Sequence, residues 1–191
     1  YPFVEYVAKN KKPIILSTGM NNIQQITKTV SILRKYKTPY ALLHCTNVYP
    51  TPYNIVRLEC VSQLKRIFKD AVVGLSDHTL SNHTCLASVA LGARVLERHF
   101  IDKKSRKGPD VACSMTPSEL KDLIEGSRNI FLALKGKKEL VKQEIVTARF
   151  AFGSVSATKN IKKGEIISKE NIFPKRPGNG FYTADDYYKL L

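Results

Sequence analysis

The sequence predicts an α/β fold with a parallel sheet, and three observations carry that expectation. Short apolar runs rich in β-branched residues alternate with stretches whose apolar residues recur at helical spacing. The runs are largely apolar throughout, as strands buried on both faces are. Each run also ends in polar residues, and in parallel α/β folds the chemistry sits at the C-terminal ends of the strands. The alternation fits either a doubly wound sheet or a (β/α)8 barrel.

Residues 3 to 9 read as the tail of a helix stopped by Asn10 and Pro13. Pro13 opens the first strand, Ile14 to Leu16, which runs into Ser17, Thr18 and Gly19. Asn21 or Asn22 caps the next helix, with Ile23, Ile26, Val30 and Leu33 on its apolar face and Lys35 and Lys37 at its carbonyl end. Three more units follow. Strand Tyr40 to Cys45 leads through the loop Thr46 to Tyr53 to a helix bearing Val61, Leu64, Ile67 and Phe68. Strand Val72 to Leu75 leads to a helix with Leu86, Val89 and Ala90, and strand Val95 to Leu96 to a loop and a helix with Leu120, Leu123, Ile124 and Phe131. After about Gln143 short alternating runs, a Lys-Gly-Glu turn and several glycines read as the start of a small β-rich domain, which divides the chain into 1–143 and 144–191. Asp185 to Leu191 reads as the beginning of another helix.

A length of 191 residues suits one domain with a real core and a small appendage. Apolar residues at 43% and charged residues at 25% exclude a disordered or collagenous chain. Lys and Arg total 31 against 16 acids, and the resulting charge of +15 favours anionic partners. The basic clusters at 103–107, 135–138 and 159–163 have no interleaved aromatics and match no nucleic-acid motif, so a nucleic-acid partner is not expected. Cys45, Cys60, Cys85 and Cys113 lie in apolar surroundings without CxxC pairing, which points to buried reduced thiols and a cytoplasmic setting. No run approaches the roughly eighteen apolar residues of a membrane span, and the N-terminal stretch lacks the order of a signal peptide. Because it opens on Tyr1, we expect the sequence to begin inside a longer protein.

The polar strand ends hold the candidate site. His78 closes the third strand and His99 the fourth, 21 residues apart. On adjacent parallel strands about 4.8 Å apart, the two imidazoles can meet at one rim and share a divalent cation. Ser76 shares parity with His78, and Glu97 with His99, so each pair points to one face, which in a barrel is the interior. Two separately hydrogen-bonded strand-end histidines are the alternative. Asp77 points the other way and reads as structural support. Ser17 beside Gly19 can offer a hydroxyl and N–H groups to a phosphate. Asn47 and Tyr49 share parity on a loop stiffened by Pro50 and Pro52. Asp110 follows the Gly108-Pro109 turn, where its carboxylate can accept from a sugar hydroxyl, and Arg176 precedes a rigid turn as a reaching arm.

Taken in order, LSTGM (16–20), LLHCTNVYPTP (42–52), VGLSDHT (73–79), LERHF (96–100), GPDVACSM (108–115) and KRPGNG (175–180) resemble the bacterial N-acetylneuraminate (sialic acid) synthase family along essentially the whole chain. The resemblance implies the second half of a (β/α)8 TIM barrel, strands five to eight, followed by the start of a small antifreeze-like (SAF) domain. It implies an enzyme that condenses phosphoenolpyruvate with N-acetylmannosamine and releases phosphate. Legionaminic or pseudaminic acid synthesis, or a non-catalytic carbohydrate-binding relative, are the alternatives. By the same resemblance, His78 and His99 bind a divalent cation, Mn or Mg and in some cases Co. Ser17, Asn47 and Ser76 line the phosphoenolpyruvate site, Tyr49 and Asp110 meet the acyl-amino sugar, and Glu97 assists proton transfer. Arg176 reaches toward the N-acyl group from the other subunit of a domain-swapped homodimer. Val111 after Asp110 departs from the commoner pattern and leaves the sugar open. Without the barrel's first four strands, and the glutamate and lysines they carry in the family, the chain alone is expected to be inactive. Half a barrel also exposes unpaired edges, an aggregation hazard.

Overall fold

Strands β1 (Ile14–Ser17), β2 (Tyr40–Cys45), β3 (Val72–Asp77) and β4 (Val95–Arg98) pair in parallel in the order β1-β2-β3-β4. Helices α1 (Pro2–Ala8), α2 (Ile23–Lys35), α3 (Glu59–Ile67), α4 (His83–Ala90) and α5 (Pro117–Ala133) complete this part of the chain. The computed structural model describes residues 1–191, and these divide into two units, Tyr1–Lys135 and Gly136–Leu191.

The two faces of the sheet carry different residues. Ile14, Leu16, Leu42, Val73, Leu75 and Leu96 face the helices and join Ile26, Val30, Leu33, Val61, Leu64 and Leu123 in one core. Each fully buried Leu or Val there contributes about 1.5–3 kcal/mol. The opposite face carries Ile15, Ser17, Leu43, Cys45, Gly74, Ser76, Val95 and Glu97, as the register requires. Leu43 is buried on that face because Gly74 opposite it has no side chain; a Cβ there would stand 2.6 Å from Leu43 Cδ2 and 2.2 Å from the Val95 carbonyl oxygen.

Local chemistry sets the helix starts. Asn22 Oδ1 accepts from the Gln25 N–H at 3.0 Å, and Gln25 Oε1 accepts from the Asn22 N–H at 2.9 Å, a reciprocal cap for α2. Thr116 and Glu119 do the same for α5, where Pro117 occupies the first turn. Asn10 donates to the Tyr6 and Val7 carbonyls beyond the end of α1.

Several expectations need correction. The strands run past their apolar stretches, β1 through Ser17, β3 through Ser76 and Asp77 and β4 through Glu97 and Arg98, because the ladder continues through them; His78 and His99 therefore lie one residue beyond their strands rather than closing them. Ile67 is 41% exposed while Phe68 is buried, since the chain leaves helical geometry at Phe68 and turns that ring inward. Ile124 and Phe131 line an open cavity of about 430 Å³ with Val89, Leu96 and Met115, and the Arg94 guanidinium lies 4.9 Å over the Phe131 ring. All four cysteines are free, with Cys45, Cys85 and Cys113 buried and Cys60 half-buried. No helix is long and apolar enough to cross a membrane.

The second unit contains α6 (Ile145–Ala151) and the antiparallel pair β5 (Ser154–Ala157) and β6 (Ile172–Lys175). It begins ahead of the expected boundary at Gln143, because the segment through α6 packs within it; the Arg149 carbonyl accepts from the Gly178 N–H at 3.1 Å. Buried Asn171 organises its long turn, accepting from the Ser168 N–H and donating to the Ile166 carbonyl. The final segment forms a 3-10 helix, Ala184–Lys189.

Candidate active site

At the C-terminal ends of β3 and β4 the two histidine rings lie with centroids 5.3 Å apart, inclined by 68°. Tyr49, from the loop after β2, stacks over His78 at 3.9 Å and meets His99 edge-on at 5.8 Å. Three aromatic rings therefore share one rim.

Each ring is held by its backbone and by polar contacts at Nδ1, and the Cys45 Sγ lies 3.9 Å from that of His78. His78 is buried; its carbonyl accepts from the Thr51 N–H at 2.9 Å, and its Nδ1 lies 3.0 Å from the Thr46 carbonyl. A carbonyl only accepts, so Nδ1 carries the proton and the lone pair of the neutral ring lies on Nε2. The His99 carbonyl accepts from the Met115 N–H at 2.8 Å, and its Nδ1 lies 3.8 Å from Asp110 Oδ2. Asp110 has the left-handed φ of 59° uncommon for a residue with a side chain. Its carbonyl accepts from both the N–H and the hydroxyl of Ser114, which pins the turn.

The loop after β1 supplies the next contact. Gly19 leaves room for the Asn47 amide in its present position, since a Cβ would stand 1.7 Å from Asn47 Oδ1. The Asn47 side chain tends to lower the pKa of the Tyr49 phenol. The net shift is upward, driven first by burial and then by Cys45, Asp110 and Cys113. Ser76, His78, Glu97 and His99 line a cleft of about 200 Å³. Glu97 also lines an adjoining groove of about 370 Å³ with Ile15, Ser17, Leu43 and Val95.

The sequence-derived candidates thus separate into groups. His78, His99, Tyr49, Asn47, Asp110, Ser76 and Glu97 converge on the rim and cleft of β3 and β4, whereas Ser17 lies along the groove on β1. Arg176 belongs to the second unit, where it is exposed beside Pro177. No cluster of three or more His, Cys, Asp and Glu side chains forms a cation cage. Sequence reasoning missed Arg98, whose side chain is 2% exposed and 3.7 Å from Asp77. Opposite charges of the same strand parity, each just ahead of a candidate histidine, were the available signal.

Fold and rim together define an α/β protein of the barrel class, with a candidate small-molecule site at the strand C-termini. The chain belongs to the NeuB family, whose model matches residues 1–139. It is 44% identical to the N,N'-diacetyllegionaminic acid synthase of Campylobacter jejuni, covering all of this chain and 58% of that protein. It is 36% identical to the pseudaminic acid synthase of the same species, covering 99% of this chain and 55% of that one. The chain thus spans a little over half the length of these relatives. The crystal structure of an N-acetylneuraminic acid synthetase from Leptospira borgpetersenii, in complex with citrate, superposes with a TM-score of 0.72 at 31% identity, over 76% of this chain and 51% of that one.

Proposed function

We propose that the full-length protein is a phosphoenolpyruvate-dependent nonulosonate synthase, joining phosphoenolpyruvate to the aldehyde of an open-chain acyl-amino sugar with release of phosphate. The carrying observation is the convergence of His78, His99, Tyr49 and Asp110 at one strand-end rim, in a chain whose named relatives include synthases of three nonulosonic acids.

In this reading C3 of phosphoenolpyruvate forms the new bond to the sugar aldehyde carbon, water adds at C2, and the C–O bond to phosphate breaks. The hydroxyls of Ser17 and Ser76 and the amide of Asn47 donate to the anionic groups of phosphoenolpyruvate. Asp110 accepts from sugar hydroxyls, and the Tyr49 phenol, fixed by its stack on His78, orients the same substrate. Glu97, open to the cleft, handles the proton of the attacking water. Arg176 binds the acyl group from the antifreeze-like domain of the other subunit in a domain-swapped homodimer, with the second unit as the start of that domain. The location is cytoplasmic, in keeping with four free thiols.

His78 and His99 would hold the divalent cation. An imidazole pair with an open Nε2 suits a borderline ion such as Co better than Mg, which takes oxygen ligands, while Mn, a harder ion, would need oxygen ligands beside the two imidazoles. When bound, the ion supplies Lewis acidity at the aldehyde oxygen.

N-acetylmannosamine is the acceptor that the sequence resemblance favours. The 44% identity to a legionaminic acid synthase supports a second reading, a 2,4-diacetamido sugar. Phosphate release by the full-length protein, with each sugar and with or without Mn, decides among these. We expect Mn-dependent release with one of them, and its loss in His99→Ala. Absence of release with either sugar would overturn the synthase reading.

A further inference from the structure

Asp77 and Arg98 are partners in register on β3 and β4, each immediately ahead of a candidate ligand histidine. By strand parity their side chains lie on the helix side of the sheet, and although Arg98 also borders the cleft its side chain is buried, whereas the histidine rings open to the cleft. Both side chains are 2% exposed. Arg98 Nη2 donates to the Thr79 carbonyl at 2.6 Å and the Cys113 carbonyl at 3.3 Å. Its Nη1 donates to the Ser81 carbonyl and to Asn82 Oδ1. Asp77 Oδ2 accepts from the hydroxyls of Thr79 and Thr84 at 2.8 and 2.9 Å. One guanidinium therefore ties the turn after His78, the start of α4 and the segment after Asp110 to the strand that carries His99.

This arrangement is poorly explained by stability alone. A buried ion pair is often no better than well-packed apolar residues, and its best-attested use is to specify register. Arg98 Nε is moreover buried without a partner, a desolvation cost that the fold bears. A one-residue slip between β3 and β4 would turn one imidazole to the helix side. We propose that the Asp77–Arg98 pair is a positioning device. It fixes the strand register and the Asp110 turn, and so sets the distance between His78 and His99. The cation-binding part of the test rests on the function proposed above.

The test uses full-length protein carrying Arg98→Lys, Arg98→Met or Asp77→Asn. Three quantities are read: thermal midpoint, Mn(II) affinity by electron paramagnetic resonance, and the His78–His99 ring contact by NMR of the metal-free protein. Lysine keeps the charge but presents no planar fork to the carbonyls. Arg98→Lys is expected to stay folded, lose the ring contact and bind Mn(II) about 10- to 100-fold more weakly. Wild-type affinity and an intact ring contact in folded Arg98→Lys would overturn the proposal. Should Arg98→Met fail to fold, Arg98→Lys and Asp77→Asn carry the decision. Should the wild type itself not bind Mn(II), the cation reading fails separately. The ring contact then decides alone, its loss in Arg98→Lys supporting the positioning role and its retention refuting it.

Discussion

Gly74→Ala would place a methyl group in a close contact between β3 and β4. Its Cβ would stand 2.2 Å from the Val95 carbonyl oxygen, 3.0 Å from the Val95 carbonyl carbon and 2.6 Å from Leu43 Cδ2. Ordinary nonbonded separations are about 3.5–4.0 Å, so about an ångström of movement is needed. Leu43 can rotate, but Val95 belongs to the β3–β4 ladder, where the adjacent Arg94 N–H donates to the Val73 carbonyl at 2.7 Å. Overpacking of about 1–3 kcal/mol plus one weakened backbone bond of about 0.5–1.5 kcal/mol gives a destabilisation of about 2–4 kcal/mol. Urea denaturation of the full-length protein measures it, with Gly126→Ala as control. At that position on α5 the nearest obstacle is the mobile end of Leu86, at 2.8 Å, and alanine also gains helix propensity, so the expected change stays within about 1 kcal/mol. A Gly74→Ala midpoint equal to wild type at unchanged slope would refute the packing argument.

Gly19→Ala drives its methyl group into the Asn47 amide, a side chain that can swing away, so stability should move by less than about 1 kcal/mol. The function proposed above then requires kcat/KM for phosphoenolpyruvate to fall about 10- to 100-fold, as for one lost hydrogen bond to a charged group; an unchanged value refutes the role of Asn47. His44 gives a pH dependence: burial holds its pKa below the usual value, while its Nε2 bonds the Val56 carbonyl at 2.7 Å. With the folded pKa below an unfolded value of about 6.5, the stability contributed by the neutral ring is present above that pH. It is lost as pH falls toward the folded pKa. The urea midpoint should therefore drop between about pH 7.5 and 5.5 in wild type and drop less in His44→Gln; parallel behaviour of the two proteins would contradict this.

The sheet and most of the rim were legible because the strands carry continuous apolar runs, and because Ser76, His78, Glu97 and His99 interrupt those runs on one parity. Asp77 was legible as support for the same reason. Arg98 was not, since a charged residue at a strand end ordinarily reads as solvated, and its burial depends on carbonyls contributed by Thr79, Ser81 and Cys113. Nor did helical spacing reveal that Ile67 would lie outside the core and Phe68 within it, because the exchange depends on how the chain leaves α3. The second unit begins at Gly136 rather than after Gln143, at a point where no glycine- or proline-rich linker marks the sequence.

The Nδ1 proton of His78 is held by the Thr46 carbonyl, an atom of the main chain. No codon change at position 46 can delete that oxygen. A side-chain acceptor in its place would be one point mutation from loss, and the open nitrogen of the ring would be lost with it. Here the ring's orientation is inherited with the path of the backbone. Mutational drift can alter what surrounds His78 more readily than which nitrogen it presents. Under the function proposed above, variants selected for a different sugar should therefore accumulate changes around the cleft while the same Nε2 is retained.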